Sequence, residues 1–106
     1  MTPEKQVQNN IVDYLTKLSN EGLPVLVKRR NAGGFSYEKG IPDLYAVING
    51  IHLEIEVKRP GGQLSMMQLK YADKCKAKNI PWVCADNVEV IEGIVKMFLL
   101  TNLSFY

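Results

Sequence analysis

Residues 40–58 read GIPDLYAVINGIHLEIEVK, two runs of alternating apolar residues on either side of Asn49-Gly50. An Asn-Gly pair in that setting is the strongest short signal for a two-residue β-hairpin. The turn sets the register: Ile48 faces Ile51, Val47 faces His52, Tyr45 faces Glu54, and Asp43 faces Glu56. Side chains alternate along a strand, so His52, Glu54, Glu56 and Lys58 share one side. Ile51, Leu53, Ile55 and Val57 take the other.

This register sets Asp43 and Glu56 on one face with Cβ atoms about 5 Å apart. Two carboxylates at that range repel by roughly 3 kcal/mol at an effective dielectric near 20. A favourable cross-strand pair contributes only about 0.2–1 kcal/mol, so strand propensity alone does not hold them together. A raised pKa on one acid, the ammonium of Lys58, or a bound divalent cation would relieve the repulsion. The cation, a hard ion with oxygen ligands, also gives the site a use. The alternative is a twisted or bulged hairpin that parts the acids into solvent.

A chain of 106 residues is one domain, long enough for a single core without metal staples. Hydrophobic content of 46% and charged content of 23% match an ordinary globular protein rather than a disordered or membrane chain. The net charge of +2 is too small to bind nucleic acid by bulk attraction, so such a surface must come from local clustering. Cys75 and Cys84 form no zinc pattern and read as reduced thiols of an intracellular protein. With no apolar leader and no run of membrane-spanning length, a cytoplasmic protein without membrane contact is expected.

Working outward toward the N-terminus, Thr2-Pro3 opens a helix with Val7, Ile11, Tyr14, Leu15 and Leu18 at helical spacing, closed by Gly22. Glu4 and Gln8 lie on the ridge that continues through Ile11 and Leu15, at the edge of the core. By itself Glu4 reads as a complement to the helix dipole. Pro24 to Lys28 reads as a short strand. Lys28-Arg29-Arg30 and the loop with Phe35 and Tyr37 follow, a combination that suits a nucleic-acid backbone and an unstacked base, or an ordinary solvated strand end.

Toward the C-terminus, Arg59-Pro60 ends the hairpin. Ser65 with Gln68 has capping-box spacing and Leu64 with Leu69 that of a hydrophobic staple, so a helix runs to about Lys78 with Leu69, Ala72 and Cys75 inward. Its lysines, Lys70, Lys74, Lys76 and Lys78, read as a solvated face or as phosphate contacts. Ile80 to Ala85 reads as a buried strand, parallel to the second hairpin strand because a helix joins them. Asp86 or Asn87 caps a last helix to about Leu100, with Val90, Ile91, Ile94, Val95, Phe98 and Leu99 in its apolar stripe.

The order α-β-β-β-α-β-α, with Pro42-Asp43 and Glu56-Val57-Lys58 on the middle strands, resembles the PD-(D/E)xK nucleases. The Gly40-Ile41-Pro42-Asp43 context, Lys58-Arg59-Pro60 and the helix start at Leu64 to Gln68 narrow this to a resemblance to the VRR-NUC family, the virus-type replication-repair nucleases. The resemblance covers nearly the whole chain. It implies an α/β, restriction-endonuclease-like core, with a mixed β-sheet flanked by helices.

The same resemblance implies Mg²⁺ or Mn²⁺ bound by Asp43, Glu56 and the carbonyl of Val57, with Lys58 helping to place and deprotonate the attacking water. It raises Glu4 to a metal-site or water-binding group and Gln68 to a site residue. Lys28, Arg29, Arg30 and Arg59 are the candidate contacts to nucleic acid. The implied function is a metal-dependent, structure-specific DNA endonuclease. A Holliday-junction-resolving homodimer in a bacterial or phage-infected cell is the leading form. A flap- or end-directed nuclease and a non-catalytic DNA-binding or assembly subunit are the alternatives.

Overall fold

The computed structural model describes residues 1–30 and 39–101. The elements are α1 (Pro3–Asn20), β1 (Val25–Arg29), β2 (Leu44–Ile48), β3 (Ile51–Val57), α2 (Met66–Ala77), β4 (Trp82–Ala85) and α3 (Val88–Leu99). The four strands form one sheet in the order β1-β2-β3-β4, antiparallel except for the parallel pair β3–β4. The α/β class, the mixed sheet and the element order are those expected. No helix among the described residues is long and apolar enough to cross a membrane.

The hairpin register is the one the turn dictates. Ile48 pairs with Ile51, Val47 with His52, Tyr45 with Glu54, and the ladder runs on to Leu44 and Ile55. Asn49 and Gly50 carry φ of 52° and 80°, the left-handed pair that lets a two-residue turn follow the strand twist. The Asn49 side chain also donates to the carbonyls of Phe98 and Thr101 at 3.1 and 2.6 Å. One turn therefore closes the hairpin and adds a side-chain donor to two carbonyls at and just beyond the end of α3, where few backbone donors remain.

One sheet face carries Leu44, Ala46, Ile48, Leu53 and Ile55, all buried, and packs against Val7, Ile11 and Leu15 of α1 and Ile91 and Val95 of α3. Thr2 caps α1, Ser65 and Gln68 close a reciprocal capping box on α2, and Asn87 caps α3. Among the described residues the other face is met by α2, and it is polar where the apolar face is not. That asymmetry gives the molecule its site.

Three expectations need correction. The first strand is Val25–Arg29, one residue later than expected, because Pro24 has no N–H for the ladder and serves by its carbonyl, which accepts from Asn49. Leu69 is 46% exposed. Ala72 and Cys75 turn inward as expected, and Gln68 and Tyr71, both half-buried, take the place of Leu69 on the inward side of α2. The strand from Trp82 to Ala85 is half-buried until Ala85, since it is the last strand of the sheet and has one neighbour instead of two.

Candidate active site

The hairpin brings Asp43 and Glu56 to the same end of the sheet, one step past the paired residues Leu44 and Ile55. Their surroundings differ. Asp43 is exposed, and its backbone carbonyl accepts from Arg30 N–H at 2.7 Å, which extends the β1–β2 ladder to the acid itself. Glu56 is only 7% exposed, and its Oε1 is buried without a hydrogen-bond partner. A buried oxygen left unpaired costs about 1–3 kcal/mol, more when charged.

Burial pushes the Glu56 carboxyl up to about 7; Lys58 opposes the shift, while Asp43 and Glu4 add to it. The four charged groups named from sequence as the heart of the site therefore do meet electrostatically around Glu56. Glu4 is exposed, in the first turn of α1, and lines a cleft with Thr2, Lys5, Gln8, Arg29, Arg30 and Asp43. The cleft has a volume of about 280 Å³. Among the described residues no three His, Cys, Asp or Glu side chains gather as a metal cluster.

The donor set fits a hard divalent cation in its chemistry. Two carboxylates on neighbouring strands, one with a buried unpaired oxygen, are the hard oxygen donors that such an ion takes. The Val57 carbonyl, next in the strand, is the further oxygen the resemblance names. Lys58 follows, half-buried, with its N–H on the Ala85 carbonyl at 3.0 Å, so β4 holds the backbone that carries it. Gln68 has its Oε1 engaged by the Ser65 N–H at 2.8 Å. Its capping role is met in full, and its amide nitrogen is the part left for a ligand.

Beside the acids lies a cluster that sequence reasoning missed. Arg30 makes a two-pronged ion pair with Glu54, at 2.6 and 2.7 Å, and donates to the Pro42 carbonyl at 2.9 Å. Its guanidinium lies 4.7 Å from the centre of the Tyr45 ring, which stacks on His52 at 5.0 Å. His52 contacts Glu54 in turn. Burial disfavours the charge on Glu54, but the hydrogen bonds of Arg30 and His52 outweigh it and hold the carboxyl below its usual range. Arg30 thus ties the strand of Glu56, two residues from that acid, to the carbonyl of the residue just before Asp43.

The cationic residues named as nucleic-acid contacts part company here. Lys28, Arg29 and Arg59 are exposed, whereas the Arg30 guanidinium is committed to Glu54 and Pro42. Phe35 and Tyr37 lie outside the described residues. Only the shared face of Glu54 and His52 hinted at the cluster, because the register of β1, joined to β2 by a long loop, fixes which arginine arrives.

A hairpin-borne acid pair on a mixed four-stranded sheet, with the following lysine and a helix after it, sits in an α/β fold of the order α-β-β-β-α-β-α. More narrowly, a solved structure described as a VRR_NUC domain shares this fold with a TM-score of 0.72, at 18% identity, over 92% of this chain and 99% of that one. The fold is that of a VRR_NUC domain, as the sequence resemblance implied. No family model and no curated protein matches the chain.

Proposed function

We propose that this domain hydrolyses phosphodiester bonds in DNA, with Asp43, Glu56 and the Val57 carbonyl holding Mg²⁺ or Mn²⁺. The observation that carries the reading is the buried, unpaired Glu56 oxygen set opposite Asp43, with Lys58 on the same side. A bound cation supplies charge relief to the scissile phosphate and a more acidic water. Asp43, exposed at the cleft, and Glu56, buried beneath it, bind and orient that ion. Lys58 keeps a fixed positive charge beside the reacting phosphate and takes up or yields a proton at Nζ. The Arg30–Glu54 clamp keeps the strands of the two acids in register.

Branched DNA, above all the four-way junction, is the substrate we put first, because stand-alone domains of similar sequence are associated with phage and with such structures. A non-catalytic DNA-binding or assembly subunit is the competing reading. The test is a panel of labelled junctions, flaps, duplexes and single strands, with Mg²⁺, Mn²⁺ or chelator. Paired, metal-dependent cuts on the junction are expected. Trimming of ends would favour a flap nuclease, and binding without cutting the assembly subunit. Asp43→Asn and Glu56→Gln should each lose cleavage by more than about a hundredfold, the scale of a lost electrostatic contact in catalysis. Retained metal-dependent cutting by either variant would sink the assignment.

A further inference from the structure

The cleft beside Asp43 holds a second charged arrangement that the acid pair does not use. Of the three cations lining it, Arg30 is neutralised by Glu54. Lys5 and Arg29 are not. Lys5 Nζ donates to Gln8 Oε1 at 2.7 Å, and Arg29 Nη1 donates to the same oxygen at 2.9 Å. Arg29 Nη2 reaches Asn9 Oδ1 at 3.0 Å. These acceptors are neutral amides, and neither cation makes an ion pair with a described carboxylate.

One shared oxygen therefore draws two positive charges to within about 6 Å of each other, where like charges repel. Exposed lysine and arginine side chains have ample room to separate in water, and holding both sacrifices rotamer freedom. Gln8 explains how they are held, since it is 9% exposed and anchored on α1. It does not explain why. An anion between the two heads would. Both heads retain unused N–H donors for one, because lysine has three and arginine five.

We propose that Lys5 and Arg29, aligned by Gln8, form a subsite for a backbone phosphate of DNA next to the one that is cut. The proposal rests on the nuclease reading for the identity of its ligand. In this arrangement the cleft wall carries a cation pair that takes an anion, beside an acid pair that takes a cation. Lys5 and Arg29 contact substrate, and Gln8 is a positioning residue, because its oxygen cannot itself bind a phosphate.

The test is binding of a labelled four-way junction in chelator, where nothing is cut, across a range of salt. Wild type is compared with Lys5→Gln plus Arg29→Gln, with Gln8→Ala, and with Lys17→Gln at the far end of α1 as control. Thermal melts verify that each variant is folded. The double variant should lose roughly tenfold in affinity, with a log–log salt slope flatter by about 0.9. Gln8→Ala should lose less than the double variant while keeping the wild-type salt slope, and Lys17→Gln should lose nothing. Replacing single phosphates by neutral methylphosphonates should find one position that weakens wild type and leaves the double variant indifferent. Unchanged affinity and slope in the folded double variant would overturn the subsite while leaving the nuclease reading intact. A wild type that cuts nothing in a parallel assay with Mg²⁺ or Mn²⁺, yet shows the slope change and the phosphonate effect in chelator, would keep the subsite and overturn the nuclease reading. A wild type that binds no DNA would overturn both.

Discussion

Glu54 and Glu56 sit two residues apart on one side of β3, and their surroundings treat the proton in opposite ways. Burial raises Glu56 to about 7, so its folded form holds a proton that the unfolded chain releases near 4.5. That contribution to stability is fully present below 4.5 and lost as pH rises through 7. Glu54, lowered below 4.5, contributes above that value and loses its share as pH falls through its folded pKa. The metal-free protein should therefore melt highest near pH 4.5. Between that pH and 7 the Glu56 effect is worth roughly 1–2 kcal/mol after solvent screening. Melts in chelator check this: Glu56→Gln should flatten the fall between about pH 4.5 and 7 and leave the acid limb alone. A parallel fall in wild type and variant would assign the limb to another group. The acid pair was legible because Asn49-Gly50 sets every facing residue of the hairpin. The partner of Glu54 was not, since 31–43 separates β1 from β2 and no turn sets its register.

Among the elements, the junction between the loop before β2 and the first turn of α2 is the tightest fit. Gly40 has φ of 89°, and a Cβ there would lie 2.3 Å from the Met67 carbonyl oxygen. Gly61 has a comparable φ of 78° but open space around it. Alanine at Gly61 meets only the left-handed backbone strain, about 1 kcal/mol. Alanine at Gly40 must also push helix and loop apart, for a total of roughly 2–4 kcal/mol. Denaturant midpoints of the two variants should separate accordingly, with Gly40→Ala also losing cleavage as Asp43 shifts. Equal midpoints would mean that the loop gives way freely. The sequence marked this helix start twice: the capping box closes as its spacing predicts, while Leu69 of the staple pair stays 46% exposed. A cap is a local bond between neighbours, whereas the packed face of α2 is chosen by the polar group beneath it, where Glu54, Tyr71 and Cys75 influence one another's charge.

At the scale of the whole molecule, a four-way junction presents two related strands, and a two-fold dimer would present two sites to them. We expect a homodimer, with a solution mass of twice 12.0 kDa at micromolar concentration. Leu103, Phe105 and Tyr106, the interface residues expected from sequence, lie outside the described residues. Among those described, Leu26 on the edge strand β1 is 47% exposed and Leu23, just before that strand, is 39% exposed. A monomer that cuts junctions at full rate would count against the dimer. The apolar face was readable because period 2 in the strands and period 3.6 in α1 and α3 each bury one side. Strand order was not readable from composition, which is why β4, apolar throughout, gave no sign of being an edge.

The Asn49 turn also bears on how the protein can be handled. Its side chain holds Phe98 and Thr101 at the hairpin tip, while Thr2 lines the cleft beside Asp43. Five residues of β2 separate the two ends, about 16 Å of strand. A purification tag or fluorophore joined before Thr2 emerges in the mouth of the cleft and competes with whatever enters there. A label on Met97, 63% exposed near the end of α3 that Asn49 holds, starts from the far end of the sheet, so immobilised or dye-labelled protein should be built from that side.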